Sequence, residues 1–135
     1  MKQAFMAATA ALGMAGIITA CAPDQQITTA RGDYMNLCAD CHGTTGKGNG
    51  PAAAGLNPRP SDLTTIAARN DGTFPKLQVM SKIYGYTMGR SDSPMPQFGD
   101  LLEGRTVMYD AGDGQPTPTP WRLVALTEYL ESIQQ

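Results

Sequence analysis

Glycine and proline are concentrated in one part of this chain, and they restrict what it can fold into. Residues 43–60 read GTTGKGNGPAAAGLNPRP, and most of the fifteen glycines and ten prolines lie after residue 43. No regular helix or strand survives such a density of breakers. The predicted fold class is therefore all-α, with three to four helices and long ordered loops around a single core.

Apolar periodicity marks the helices at the two ends of this domain. In the last one, Thr119 is the predicted cap and Pro120 the first helical residue, and apolar residues then recur at three- and four-residue steps as far as Ile133. A first helix is predicted from about residue 29 to residue 39. It carries Tyr34, which we expect to pack against the last helix.

The middle of the chain is harder to assign. A short helix is predicted at 62–68 with Ser61 as its cap, and a longer one at about 73–86. Residues 99–118 form the least readable segment, in which 106–109 is interpreted as a possible short strand. The sequence suggests no function for this segment.

The first twenty residues have a positive start, an apolar run and small residues before Cys21, the pattern of a signal peptide. The run ITAC at 18–21 resembles the bacterial lipobox, which implies lipidation of Cys21 after cleavage. The alternatives are an ordinary signal peptide and an uncleaved anchor. An apolar run of about 15 residues is, however, shorter than the roughly 20 needed to cross hydrocarbon.

These features predict three parts. Residues 1–20 are the signal peptide, 21–29 are the lipidated cysteine and its tether, and 30–135 are the folded domain. We therefore expect an exported protein, lipid-anchored to a bacterial membrane and facing the periplasm.

Charge argues against one class of partner. The chain has ten basic and twelve acidic side chains, a formal net charge of −2, and no cluster of lysine or arginine. The positive surface that nucleic-acid binding requires is therefore missing, and we expect no nucleic-acid partner.

The segment Cys38-Ala39-Asp40-Cys41-His42 has the Cys-x-x-Cys-His spacing of covalent haem attachment. Two thiols three residues apart can add to the two vinyl groups on one porphyrin edge, and the next residue then lies beneath the iron as a ligand. A structural zinc site would need four ligands, whereas Cys38, Cys41 and His42 supply three. A thioredoxin-like pair would need a strand and helix context, and a disulfide across so small a loop would stabilise little. We predict one covalent haem c.

His42 is the only histidine, so the second axial ligand is predicted to be a methionine. Met35 lies on the helix that carries the thiols, and Met80 lies on an apolar helical face where packing explains it. Met95 lies between two prolines that fix the backbone without helical bonds. Met95 is the first choice and Met88 the alternative, with an open or water-ligated iron as the third possibility.

Together these motifs resemble those of the class I cytochromes c, in particular small bacterial monohaem members. The resemblance covers about residues 30–98 and 120–133. It rests on CADCHG at 38–43, GKGNGPAAAGL at 46–56, PSDL at 60–63, MPQF at 95–98 and a closing helix with Leu126, Tyr129 and Leu130. The lipobox-like leader and the insertion at 99–118 depart from the pattern.

The resemblance implies a role for each site residue. His42 is the proximal iron ligand and Met95 the distal one. Pro51 offers its carbonyl to the other nitrogen of His42, with Pro58 as the alternative. Trp121 either reaches a haem propionate through its indole N–H or packs in the core.

The expected function is that of a non-enzymatic, single-electron carrier or electron-entry subunit. Its expected partners are membrane or periplasmic redox enzymes and the lipid anchor, with no small-molecule substrate. A haem-based redox or gas sensor is the alternative, and a peroxidase-type enzyme a further one. An enzyme would need an open iron position and a nearby acid or base, for which His42 is already used.

Overall fold

A computed structural model describes residues 30–85 and 94–135; Cys21, Met88 and the predicted segments 1–20 and 21–29 lie outside these ranges. The described elements are helices α1 (Ala30–Leu37), α2 (Ala39–His42), α3 (Lys76–Tyr84), α4 (Gly99–Leu102) and α5 (Trp121–Ser132), and strands β1 (Thr106–Tyr109) and β2 (Thr117–Pro120).

Three short 3₁₀ turns connect α2 to α3, at Pro51–Gly55, Leu63–Thr65 and Ala68–Asn70. The glycine-rich run thus contains one short regular turn, and the helix predicted at 62–68 is two turns instead. The predicted cap is also wrong, because Asp62 Oδ1, and not Ser61, accepts the Thr64 N–H at 2.8 Å.

The segment at 99–118 forms α4, β1 and the start of β2. The two strands pair antiparallel, with Thr106 opposite Pro120 and Tyr109 opposite Thr117. The strand predicted at 106–109 is confirmed, and the fold is mostly helices and loops with one added hairpin. Because β2 pairs with β1 alone, one of its edges makes no ladder bonds. Its prolines, which lack an N–H, can face that edge without costing the sheet a hydrogen bond.

The predicted cap of the last helix is wrong. Thr119 lies in β2, and its hydroxyl donates to the Thr117 carbonyl at 3.0 Å. Helix α5 begins one residue later than predicted, at Trp121, with Pro120 immediately before it. Because Thr119 is paired with β1 as part of β2, it does not cap α5.

The core lies where α1 crosses α5. The Tyr34 and Tyr129 rings are 5.3 Å apart with planes tilted by 50°, which confirms the predicted contact between the two helices. Leucines of α5, Met80 and Ile83 of α3 and Leu102 of α4 complete this core.

A buried ion pair fixes α1 to α5. Arg122 Nη2 lies 2.6 Å from Asp33 Oδ1, and Arg122 Nε donates to Asp33 Oδ2 at 3.0 Å. Arg122 Nη1 also donates to the Leu101 carbonyl at 2.6 Å. One guanidinium therefore joins α1, α5 and the end of α4, and the Asp33 side chain is only 2% exposed.

In the ranges 30–85 and 94–135, no helix has the length and hydropathy needed to cross a membrane.

Candidate functional site

The junction between α1 and α2 brings the two cysteines and the histidine to one cavity. Cys38 N–H donates to Tyr34 O at 2.9 Å, and His42 N–H donates to Cys38 O at 2.8 Å, so hydrogen bonds of helical spacing join α1 to α2 through the turn at Cys38. The side chains of Cys38, Cys41 and His42 all line this cavity. The structure thus brings together the three residues of the predicted haem-attachment motif.

The glycine-rich run packs against α2. Gly48 N–H donates to the His42 carbonyl at 2.8 Å, and Gly50 N–H donates to the Cys41 carbonyl at 3.1 Å. These bonds satisfy carbonyls that a helix end leaves without partners. A Cβ on Gly50 would lie 2.2 Å from the Asp40 carbonyl oxygen, so only glycine permits this approach.

The His42 ring is oriented by the Ser61 carbonyl, which lies 2.9 Å from Nδ1. Since a carbonyl only accepts, Nδ1 carries the proton and Nε2 is left as the metal-binding nitrogen. The resemblance implied Pro51 in this role, with Pro58 as the alternative, and the structure contradicts both. Leu63 N–H donates to Gly46 O at 2.6 Å, and this bond brings the Ser61 end of the loop back to α2 while Pro51 is exposed.

Another part of the cavity wall is formed by the segment around Met95. Pro94, Met95 and Pro96 line it together with Phe98. The segment is attached to α3 through the Phe98 N–H, which donates to Ile83 O at 2.9 Å. Met95 therefore lines the same cavity as His42, as a distal ligand would have to, and its ligation of iron stays a prediction.

The other methionines lie elsewhere. Met80 is 6% exposed in the core, and Met35 packs against that core without lining the cavity. The burial of Met80 agrees with the packing role expected of it, and Met35 lies on α1, the helix that leads to the thiols, as expected. Met88, the alternative ligand, is outside the described residues.

The cavity holds about 950 Å³, including solvent at its mouth. Its walls are largely apolar, and three cationic side chains reach it. The apolar lining includes Leu37, Leu56, Pro58, Leu63, Ile66 and Phe98, and the cations are Arg59, Arg69 and Lys82.

These features fit a haem. Apolar walls suit the faces of a porphyrin, the cations suit its two propionates, and a neutral imidazole and a thioether suit its iron. Burial, together with the nearby Asp33 and Cys41 side chains, raises the pKa of the Cys38 thiol to about 12. An uncharged thioether sulfur therefore suits this position better than a thiolate.

The competing uses of the motif find no support in the described part of the chain. Cys38 and Cys41 are not joined in a disulfide, and within residues 30–85 and 94–135 no three or more His, Cys, Asp or Glu side chains group into a metal site.

Trp121 does not line this cavity, so the structure gives no support to the alternative of a propionate contact. The Arg105 guanidinium lies over its ring, 5.2 Å from the ring centroid, and its backbone N–H donates to Arg105 O at 2.9 Å. Pairing of the hairpin turns this side chain toward β1. The cations that do reach the cavity were missed, although Arg59 stands between two prolines just before the PSDL motif.

The family model of cytochrome c matches residues 30–134 of this chain. The chain therefore belongs to the cytochrome c family, a class of exported haem proteins that typically carry electrons. Its cofactor is covalently bound haem c, and one haem is typical of a domain of this size. No curated protein and no solved structure matched the chain.

Proposed function

We propose that this protein is a class I, monohaem cytochrome that carries single electrons, or admits them to a larger redox complex, at a bacterial membrane surface. One observation carries the proposal: Cys38, Cys41, His42 and Met95 all line a single apolar cavity. This set contains two thiols for thioether bonds and two neutral axial ligands. It is the donor set expected of a His/Met-ligated haem c.

Each residue has a distinct part in this reaction. Bound haem supplies an iron that cycles between ferric and ferrous states. Cys38 and Cys41 would hold the porphyrin through two thioether bonds, and His42 would present Nε2 to the iron while the Ser61 carbonyl accepts its Nδ1–H. Met95 offers a thioether, which favours the ferrous state and raises the reduction potential. The apolar walls exclude water, so little solvent has to reorganise when an electron moves.

The lining favours a carrier over an enzyme. Among the described residues, the cavity is lined by no carboxylate and by no second histidine, the side chains most suited to acid–base catalysis. We therefore infer that the protein has no small-molecule substrate. Its partners are membrane or periplasmic redox enzymes.

The proposed location rests on the leader. Cys21 ends a lipobox-like run, and residues 22–29 would span at most about 28 Å if fully extended. More than one acyl chain gives stable membrane attachment, so the domain stays close to the periplasmic face of its membrane. Replacing the leader by an ordinary cleavable one, together with Cys21→Ser, should release a haem-loaded domain into the aqueous phase of a detergent extraction. The unaltered protein should stay in the detergent phase, and its recovery in the aqueous phase would contradict the anchor.

The axial ligand is tested by comparing Met95→Ala with Met88→Ala. The wild-type ferric protein should show the weak far-red charge-transfer band of sulfur–iron ligation and keep its haem through acid–acetone extraction. Met95→Ala should abolish the band, lower the potential and open the ferrous iron to carbon monoxide. Met88→Ala is the matched control and should change none of these.

Three other outcomes have different meanings. If only Met88→Ala loses the charge-transfer band, Met88 is the distal ligand, and the assignment as a cytochrome still holds. Carbon monoxide binding to the wild type would favour the sensor function. Haem that washes out with the solvent would overturn the covalent assignment.

A further inference from the structure

The carbonyl that orients His42 belongs to a short backbone segment with two independent supports. We call residues 61–67 the proximal strap. It begins with Ser61, whose carbonyl lies 2.9 Å from His42 Nδ1, and runs through the 3₁₀ turn Leu63–Thr65. The position of the imidazole therefore depends on what holds this strap in place.

The first support lies within the strap. Asp62 Oδ1 accepts both the Thr64 N–H at 2.8 Å and the Thr64 hydroxyl at 2.6 Å. Thr64 is only 2% exposed, so its hydroxyl has little access to water as an alternative partner. These bonds from Thr64 hold the pKa of the Asp62 carboxyl below its usual value, which keeps it an anionic acceptor.

The second support comes from the C-terminal end of α5. Gln134 Nε2 donates to Leu63 O at 2.7 Å, and Gln134 Oε1 accepts the Ala67 N–H at 2.9 Å. The same Nε2 donates to Leu130 O at 2.6 Å. Gln135 adds a backbone bond from its N–H to Thr64 O at 2.9 Å.

The chemistry of Gln134 matches this position. Its side chain meets two carbonyls on one side and an N–H on the other, so it must donate and accept at once. A neutral primary amide does both, whereas a carboxylate or an ammonium group does only one. The amide therefore ties the residues that follow α5 to Leu63, where the turn begins, and to Ala67, where the proximal strap ends.

We propose that Gln134 and Asp62 are positioning residues for the proximal haem ligand. They keep the Ser61 carbonyl on His42 Nδ1 and thereby set the reduction potential; this inference rests on the His42 ligation proposed above. A strong bond from Nδ1–H increases the electron density on the imidazole, which favours ferric iron. Weakening the strap should therefore raise the potential.

The direction of the shift separates positioning from general loosening. Loosening that admits water to the haem would lower the potential, because exposure favours the charged ferric state. Gln134→Met keeps the side-chain volume and removes both bonds to the strap. Thr64→Val removes the hydroxyl bond to Asp62 without changing any charge.

The experiment measures two properties of the full-length haem-loaded protein. These are the reduction potential and the exchange rate of the His42 Nδ1 proton, followed by NMR. Both variants should raise the reduction potential by up to about 59 mV, which corresponds to a tenfold shift of the one-electron equilibrium toward ferrous iron. Both should also speed the exchange of the His42 Nδ1 proton. Ser132→Ala is the matched control, because its hydroxyl bonds Tyr129 O at 2.7 Å in the same part of α5 without touching the strap. It should change neither property.

Each outcome has a defined reading. An unchanged or lowered potential with unchanged exchange in both variants would overturn the positioning role alone. If Gln134→Met yields no holoprotein, Thr64→Val decides by the same two measurements. A wild-type spectrum without low-spin histidine ligation would overturn the inference together with the proposed function.

Discussion

The chain contains two glycine-containing loops that look alike in sequence and are held in opposite ways. In the first, residues 43–50, backbone N–H groups donate to Cys41 and His42 of a neighbouring helix. In the second, residues 110–115, the backbone N–H groups of Gly112 and Gly114 donate to the side chain of Asp110 in the same loop. The first loop builds the haem site, and the second only closes a hairpin.

The difference shows that glycine content does not reveal what a loop does. Gly50 is required because its neighbours are backbone atoms of another element. Gly112 is required because its own φ is +101°, and a Cβ there would meet nothing within 4 Å. Substitution in the first loop should therefore damage the site, whereas substitution in the second should cost only local strain.

The largest effect is expected at Gly50. In Gly50→Ala the new Cβ would lie 2.2 Å from the Asp40 carbonyl oxygen and 2.5 Å from that of Ala39, and these backbone atoms cannot swing aside as the end of a side chain could. We expect a loss of more than about 4 kcal/mol of stability, with little holoprotein recovered. Gly55→Ala is the control, because a Cβ there meets nothing within 4 Å. Equal holoprotein yields and thermal midpoints for the two variants would contradict the comparison.

The next largest effect is expected at Arg122, which fixes the helix that leads into the first loop. Arg122→Ala leaves the Asp33 carboxylate buried without its partner, and this should cost about 3–5 kcal/mol. The control is Lys76→Ala, which breaks the half-exposed pair with Glu131 and should cost at most about 1 kcal/mol. Denaturant unfolding of both variants measures the difference, and similar losses would mean that the buried pair is not a special support of α1.

A pH-dependent effect is expected at Tyr34, whose hydroxyl donates to the carbonyl of Gly43, the first residue of the first loop, at 2.6 Å. Burial raises the pKa of Tyr34 to about 12 from its usual 10.0. Above pH 10 the unfolded chain therefore loses a proton that the folded chain keeps, so stability should fall as pH rises from 10 to about 12, by about 2–3 kcal/mol at most.

The test compares unfolding of the wild type and Tyr34→Phe across this alkaline range. The variant should be less stable at pH 7 because it lacks the bond to Gly43, and its stability should fall less steeply above pH 10. Identical slopes would mean that Tyr34 titrates normally in the folded protein.

The smallest effect is expected in the hairpin loop. Gly112→Ala should cost about 1–2 kcal/mol, because an L side chain is strained at φ +101°. The haem spectrum and the reduction potential should be those of the wild type. A shifted potential in this variant would show that the hairpin influences the site and would remove the contrast between the loops.

Sequence patterns identified the elements whose signals are local. The Cys38–His42 spacing indicated the haem site, and the leucine periodicity of α5 and its contact with Tyr34 were predicted correctly. Met95 was chosen as the candidate ligand because two prolines mark its segment as non-helical. In the structure it lines the cavity. The cysteine–histidine spacing, the leucine periodicity and the proline pair each lie within a few neighbouring residues, whereas the contact with Tyr34 was inferred because two apolar helix faces each need a partner.

The errors concern partners that the chain selects only after it folds. Pro51 was expected to orient His42, but the loop's return along α2 brings Ser61 there. Thr119 was expected to cap α5, but it is paired in the hairpin instead. The same hairpin turns Trp121 toward Arg105. Gln134 gave no signal, since its bonds to Leu63 and Ala67 join residues about seventy positions apart.

The sequence alone determined the haem-attachment motif, the helical ends of the domain and the residue types available to bind iron, because these depend on spacing along the chain. The carbonyl that holds His42, the cations that reach the cavity and the ion pair that fixes α1 to α5 follow from tertiary contacts. Hydrogen bonds and ion pairs are directional and act over a few ångströms. Their partners are therefore set by the path of the folded backbone, which residue order does not specify locally.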